Sequence, residues 1–268
     1  MDTKISTKND LFIKTSREIK QQLMVCSHER SGTHFAMNTM ASVSHYCSQP
    51  WLNYDLFPLG ASINFFSEVS ARNFITDFSS LKINGEKTCN ASIIKSHFPL
   101  SHLGDKAGDL PLKIIYIWRE PAETMASLWK FMHNWNWNEG PKTETALELA
   151  STRPSGQSQR YQKSNYRDYF ERWAEHTLDG LSQCKKNPKA CSISYRQLLT
   201  SHTSTTERIC RDLSITLLRK PQIPSRSENT IKGANLDLHS EDMERLRDFC
   251  DERIDDYPEL KALLKKDF

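Results

Sequence analysis

Nothing in this chain approaches the ~20 consecutive apolar residues that a membrane-crossing helix needs. Residues 1–20 are mixed and charged, without the apolar core of a secretory leader. Seven cysteines stand at positions 26, 47, 89, 184, 191, 210 and 250. Their number is odd and no pair has C-x-x-C spacing, so they read as reduced thiols. Cys184 and Cys191 are near in sequence but are taken as thiols too. A cytoplasmic protein without membrane attachment is the expectation. The nine histidines show no H-E-x-x-H or other metal spacing, and no metal is expected. A G-x-S-x-G elbow is absent, as is the G-x-x-x-x-G-K-[ST] phosphate loop. No repeat, low-complexity tract or linker interrupts the chain. Net charge is only +3, from 36 basic and 33 acidic residues. That suits an anionic ligand, but it lacks the dense basic footprint of a nucleic-acid binder.

With 268 residues, the chain is long enough to bury a large core as one domain spanning 1–268. Strand-like and helix-like segments alternate, which predicts an α/β fold with a central parallel sheet covered on both faces. Strands are expected near 22–27, 91–95, 113–118 and 191–195. Helices are expected near 33–44, 121–132, 165–184 and 204–213, with a short one within 67–80. A terminal helix is expected from Ser240 as N-cap. Residues 46–85 read as mixed, with Pro50, Pro58 and Gly60 marking loops. Residues 134–165 hold Gly140, Pro141, Pro154 and Gly156, and read as one long flexible loop over an acceptor. Trp135 and Trp137 in it are candidates for binding that acceptor, or for anchoring the loop.

Three segments carry chemistry. Glu29-Arg30-Ser31-Gly32-Thr33-His34-Phe35 follows the apolar run Leu23–Cys26 and opens a helix. Small residues there let backbone N–H groups and the helix N-terminus converge on a phosphate, and Arg30 adds a full charge. Arg119 ends the apolar strand Ile114–Trp118, with Ser127 eight residues on. It is placed either to grip an anion bidentately or to pair with Glu120 or Glu123. His97 ends the strand between them, on the sheet edge where open α/β folds bind ligands. Near its ordinary pKa, a neutral imidazole is a suitable general base. Lys95 lies two residues earlier, on the same side of an extended strand. Phe170 and Trp173 read as core.

Together, in this order, these residues resemble the sulfotransferases that use 3′-phosphoadenosine 5′-phosphosulfate (PAPS). Glu29–Phe35 resembles their P-K-S-G-T-T-W loop, with Arg30 in the Lys place and Phe35 in that of the adenine-stacking Trp. Ile117–Ser127 resembles the 3′-phosphate motif, Lys95–Pro99 the K-[ST]-H-[LF]-P of the catalytic base, and Tyr195–Leu198 the Y-E-D-L element. Ile231-Lys232-Gly233 stands where the family has R-K-G, so one arginine is missing, with Arg226 a possible replacement. Glu29 replaces Pro, and His34 replaces the second Thr.

The resemblance implies a P-loop-like sheet and transfer of a sulfuryl group from PAPS to a hydroxyl or amine of a small molecule, releasing adenosine 3′,5′-bisphosphate (PAP). The nucleotide site is expected from 25–35, 117–127, 195 and 226–235. His97 is implied as the base, with Arg30 and Lys95 stabilising the transition state. Ser31, Gly32, Thr33 and His34 would hold the 5′-phosphosulfate. Arg119, Ser127, Lys232 and Gly233 would hold the 3′-phosphate, and Phe35 and Tyr195 the adenosine. Arginine does not give up a proton near neutral pH, so Arg30 acts through charge and N–H donors. The alternatives are a kinase-like phosphotransferase using ATP and a nucleotide-binding protein without turnover.

Overall fold

The computed structural model describes residues 21–53, 82–83, 86–87, 92–104, 107–134, 140–224, 236 and 238–265. Its centre is a five-stranded sheet of β1 (Gln22–Cys26), β2 (Cys47–Asn53), β5 (Ser92–Ser96), β6 (Leu112–Trp118) and β7 (Ala190–Ser194). A two-residue ribbon, β3 (Lys82–Ile83) and β4 (Glu86–Lys87), pairs antiparallel apart from it. The order is β2-β5-β1-β6-β7, and every pair in the main sheet is parallel. The expected α/β fold is present.

Central strands buried on both faces must be apolar throughout, and β1 reads Gln-Leu-Met-Val-Cys with all five residues buried. Alternate residues then feed two separate cores. Leu23, Val25, Ile115, Ile117 and Ile193 join α1 (Thr33–Val43), α5 (Tyr195–Thr200) and α6 (His202–Asp212) on one face. Met24, Cys26, Ile114, Tyr116 and Trp118 join α2 (Pro121–Asn134), α3 (Ala146–Ser151), α4 (Tyr169–Lys186), α7 (Ser240–Ile254) and α8 (Pro258–Leu264) on the other.

Local chemistry sets the helix ends. The Asp168 carboxylate accepts from the Glu171 N–H at 2.7 Å and starts α4. Ser194 and Gln197 form a reciprocal capping box at the start of α5. Tyr195 is therefore the first helical residue and not the end of a strand. His239, not Ser240, caps α7, and Pro258 opens α8.

Two segments differ from the sequence expectation. Pro50 lies inside β2, an edge strand, which is where a sheet tolerates a residue without an N–H. Residues 140–165 are not one irregular loop. Thr145 caps α3, whose Leu149 and Ala150 are buried, and a 3-10 helix runs Gly156–Tyr161. The tryptophans at 135 and 137, the expected helix in 67–80 and Arg226, Lys232 and Gly233 lie outside the described residues. Among the described residues, Cys184 and Cys191 are not joined to one another, and no disulfide is formed. Among the described residues, no helix is long and apolar enough to cross a membrane.

β1 has β5 on one side and β6 on the other, so the chain leaves the end of β1 where the winding of the sheet reverses. Open α/β sheets place their ligand crevice at such a point. Register completes the arrangement: Cys26 pairs with both Ser96 and Tyr116, and Trp118 with Ser194. Residues 27–32, 97, 119 and 195 therefore emerge along one edge.

Helix α4 can lie close over β6 because Gly180 has no side chain. A Cβ there would fall 2.2 Å from Tyr116 Cζ. Gly180→Ala should lower stability by about 1–3 kcal/mol through overpacking, exceeding the roughly 1 kcal/mol that alanine gains as a helix former. Thermal melts of the two proteins check this, and an unchanged or raised Tm would contradict it.

Candidate active site

The turn after β1 has a backbone that could admit an anion. Gly32 has φ 101° and immediately precedes the N-terminus of α1. Arg30 also has a left-handed φ, 66°, uncommon outside glycine and frequent where a loop is held for function. Ser31 is fully buried, and its hydroxyl has no hydrogen-bond partner among the described residues. An orphaned donor beside a helix N-terminus fits an anionic oxygen. Thr33 shares a 2.6 Å hydrogen bond with the Ser27 hydroxyl, tying the two ends of the turn.

The two segments expected to bind anions meet. Arg30 Nε donates to Ser127 Oγ at 3.2 Å, and its guanidinium lies over the Phe131 ring at 5.0 Å. Arg119 stands close enough that its charge, after burial, helps lower the Arg30 pKa to about 10. Arg119 itself pairs with Glu123 at 2.9 Å and covers the Tyr195 ring at 4.7 Å. The sequence left anion binding and carboxylate pairing open for Arg119, and here the residue pairs. That pair is surface-exposed, with Glu123 at 45% exposure. Exposed pairs contribute about 0–1 kcal/mol, so Arg119 can exchange its carboxylate for a phosphate at little cost. Phe35 meets Tyr195 edge-on at 5.9 Å and His202 at 6.0 Å, forming an aromatic wall beside the turn.

His97 is buried at the end of β5. Its Nδ1 lies 2.9 Å from the Ser27 carbonyl oxygen. A carbonyl only accepts, so Nδ1 carries the proton and Nε2 the lone pair. Burial first, then the Lys95 ammonium, push its pKa well below the usual histidine range, against the opposing pull of Glu29. Lys95 also acts on His34, which burial and that charge lower to about 4. The Tyr161 ring covers His97 edge-on at 5.4 Å. Lys95, His97, Arg30, His34 and the turn are thus brought to one place.

A third group of residues had no signal in the sequence. Arg172, buried in α4, holds the Glu29 carboxylate, donates to His28 Nε2 at 2.9 Å and reaches the Ser158 carbonyl at 3.3 Å. His28 Nδ1 donates to the Glu29 carbonyl at 2.9 Å. His176 Nε2 donates to the His97 carbonyl at 2.9 Å, and its Nδ1 accepts from the Tyr116 hydroxyl at 2.9 Å. Burial opposes ionisation of Glu29, but Arg172, His28 and His97 hold its carboxyl well below the usual range. Burial drives His28 down to about 3 despite Glu29, and lowers His176 too. Trp173 is core, as expected, yet its indole N–H also holds the Arg119 carbonyl at 3.1 Å.

A model of the sulfotransferase domain matches residues 20–254. The chain belongs to the sulfotransferase family. It is a transferase of sulfuryl groups. Solved structures similar to it include mouse sulfotransferase SULT7A1 complexed with PAP, at 17% identity and TM-score 0.46, covering 91% of this chain and 69% of that one. Retinol dehydratase in complex with androsterone and PAP is 15% identical, with TM-score 0.44 and coverage of 94% and 74%. A sulfotransferase from Alicyclobacillus acidocaldarius is 12% identical, with TM-score 0.44 and coverage of 96% and 91%.

Three buried neutral imidazoles in this sulfotransferase make its stability sensitive to mild acid. Their folded pKa values are lowered, so below ~6.5 the unfolded chain binds protons that the folded chain refuses. The loss is at most about 1.4 kcal/mol per pH unit for each histidine, and for His28 it continues down to about 3. The carboxylate contribution of Glu29 is lost only in stronger acid. The Tm should therefore fall between pH 7.5 and pH 5, above the range where carboxylates titrate. A flat Tm across that interval, measured by calorimetry, would contradict the assignment.

Proposed function

We propose that His97 is the general base of this sulfotransferase and that the acceptor is a small molecule bearing a hydroxyl or amine. The observation that carries this reading is the bond from His97 Nδ1 to the Ser27 carbonyl. It orients the ring from the turn itself and leaves Nε2 as the proton acceptor. Nε2 takes the acceptor's proton as the acceptor oxygen or nitrogen bonds to sulfur. The bond from sulfur to the 5′-phosphate oxygen breaks, and its electron pair leaves on PAP.

Arg30 and Lys95 supply positive charge where that negative charge gathers, and the N–H groups of 31–34 with Thr33 hold the phosphosulfate. Arg119 and Ser127 hold the 3′-phosphate, with Arg119 releasing Glu123 to do so. Lys232 and Gly233 are assigned to the same phosphate. Phe35 and Tyr195 enclose the adenine. Trp135 and Trp137 are assigned to the acceptor, for which their aromatic faces favour a flat or cationic molecule. A cytoplasmic location accords with this substrate class.

Donor choice separates this reading from kinase-like chemistry. PAP should raise the Tm more than ATP with Mg²⁺ does, by mass-action linkage. Equal or greater stabilisation by ATP would overturn the donor assignment. The acceptor is sought by incubating the protein with PAPS and a panel of phenols, alcohols and amines, reading the mass gain of one sulfo group.

His97→Ala should slow transfer by ~10²–10⁴-fold, the range of a lost general base, while PAP still raises the Tm. Transfer at the normal rate in that variant would reject His97 as the base.

A further inference from the structure

Behind His97 lies a buried group of charges that the reaction above does not use. Its centre is the pair of Glu29 with Arg172, the latter only 1% exposed. A buried ion pair is a poor device for stability, because loss of hydration offsets the attraction, and an apolar pair of similar volume often serves the fold as well. An apolar pair cannot, however, answer a ring that must become cationic during the reaction.

The connections lead to the base. His28 bonds to Arg172 and meets the His176 ring edge-on at 5.6 Å, and His176 in turn holds the His97 backbone carbonyl. Glu29 Oε1 is taken by Arg172, whereas Oε2 has no hydrogen-bond partner among the described residues. That oxygen stands 3.6 Å from His28 Nε2, so half of the carboxylate acts on the imidazoles around it through charge alone.

We propose that Glu29, fixed by Arg172 and His28, is the counter-charge of the base, and that His176 clamps the backbone that carries it. Glu29, Arg172 and His176 are then positioning residues for the reaction assigned to His97, and the inference rests on that assignment. Taking the acceptor proton at Nε2 gives an imidazolium, since Nδ1 is already protonated. The charges of Lys95 from β5 and Glu29 from the turn act on His97, whose carbonyl is held by His176 of α4 and whose ring meets Tyr161 of the 3-10 helix. Of these, Lys95 repels the imidazolium and Glu29 attracts it. The carboxylate makes proton uptake feasible in a pocket where burial and Lys95 resist it.

The test uses the full chain with PAPS as the added substrate and water as the acceptor, reading PAP release against pH, together with the Tm rise that PAP produces. Glu29→Gln leaves a buried, unpaired Arg172 and so risks misfolding. The double variant Glu29→Gln/Arg172→Met is neutral at both positions and avoids that risk. In the double variant, PAP release should fall by ~10²-fold, as for loss of one preorganised charge partner. The midpoint of the acid side of its rate profile should move to lower pH, while the PAP-induced Tm rise persists. Glu29→Asp, which keeps the charge, should recover most of the rate. A double variant with the wild-type rate and midpoint would overturn the proposal. A wild type that neither releases PAP from PAPS nor is stabilised by PAP would overturn the sulfotransferase chemistry itself, a distinguishable failure.

Discussion

The hydrogen bond from His97 to the Ser27 carbonyl joins the two halves of the site. Ser27 is the first residue after β1, and His97 the first after β5, its neighbour in the sheet. The parallel register of these strands, with Cys26 opposite Ser96, puts donor and acceptor level. Because Ser27 also bonds through its hydroxyl to Thr33, the imidazole and the start of α1 share one anchor. In the proposed reaction, the phosphosulfate assigned to the turn and the proton assigned to the ring are thereby referenced to the same residue. Reactions on phosphoryl-like groups depend mainly on such positioning, as little covalent chemistry is left to the protein.

The charges around this anchor are arranged in two layers. Arg30, Arg119 and Lys95 are cations on the side of the turn, where burial and the Arg119 charge lower the Arg30 pKa and Arg119 is held by Glu123. Glu29 and Arg172 compensate one another on the buried side. The separation lets a single short turn carry an interior anion and a half-buried cation at successive positions, 29 and 30. The left-handed backbone at Arg30 accompanies that reversal.

Much of this was legible because its signals are local. A buried strand, a small-residue turn and a helix start leave their pattern within a dozen residues, so β1, β5, β6, β7 and the turn were placed from composition alone. The segment 140–165 was not, because its glycines and prolines outweighed the brief Ala146–Ala150 periodicity, and α3 is held by packing against α2 and the Thr145 cap. The pairing of Arg119 was ambiguous since Glu120, Glu123 and a phosphate all satisfy the same guanidinium. Least visible was the Glu29–Arg172 pair. Its members lie 143 residues apart, and neither has a neighbour in sequence that announces the other. The replacement of proline by Glu29 was noticed only as a departure, although a carboxylate that must be buried demands a cation somewhere in the fold.

The close seat of Tyr195 on Gly32 has an evolutionary side. A Cβ at position 32 would come within 2.4 Å of the Tyr195 ring, and the left-handed backbone there already disfavours any side chain. Tyr195 is held in turn by Phe35 and by Arg119. The four positions therefore form one unit of inheritance: a lineage that enlarges residue 32 must first surrender the ring at 195, and with it the stacking partner of Arg119. At this corner a single enlargement at position 32 breaks the wall, and only joint replacement keeps it intact.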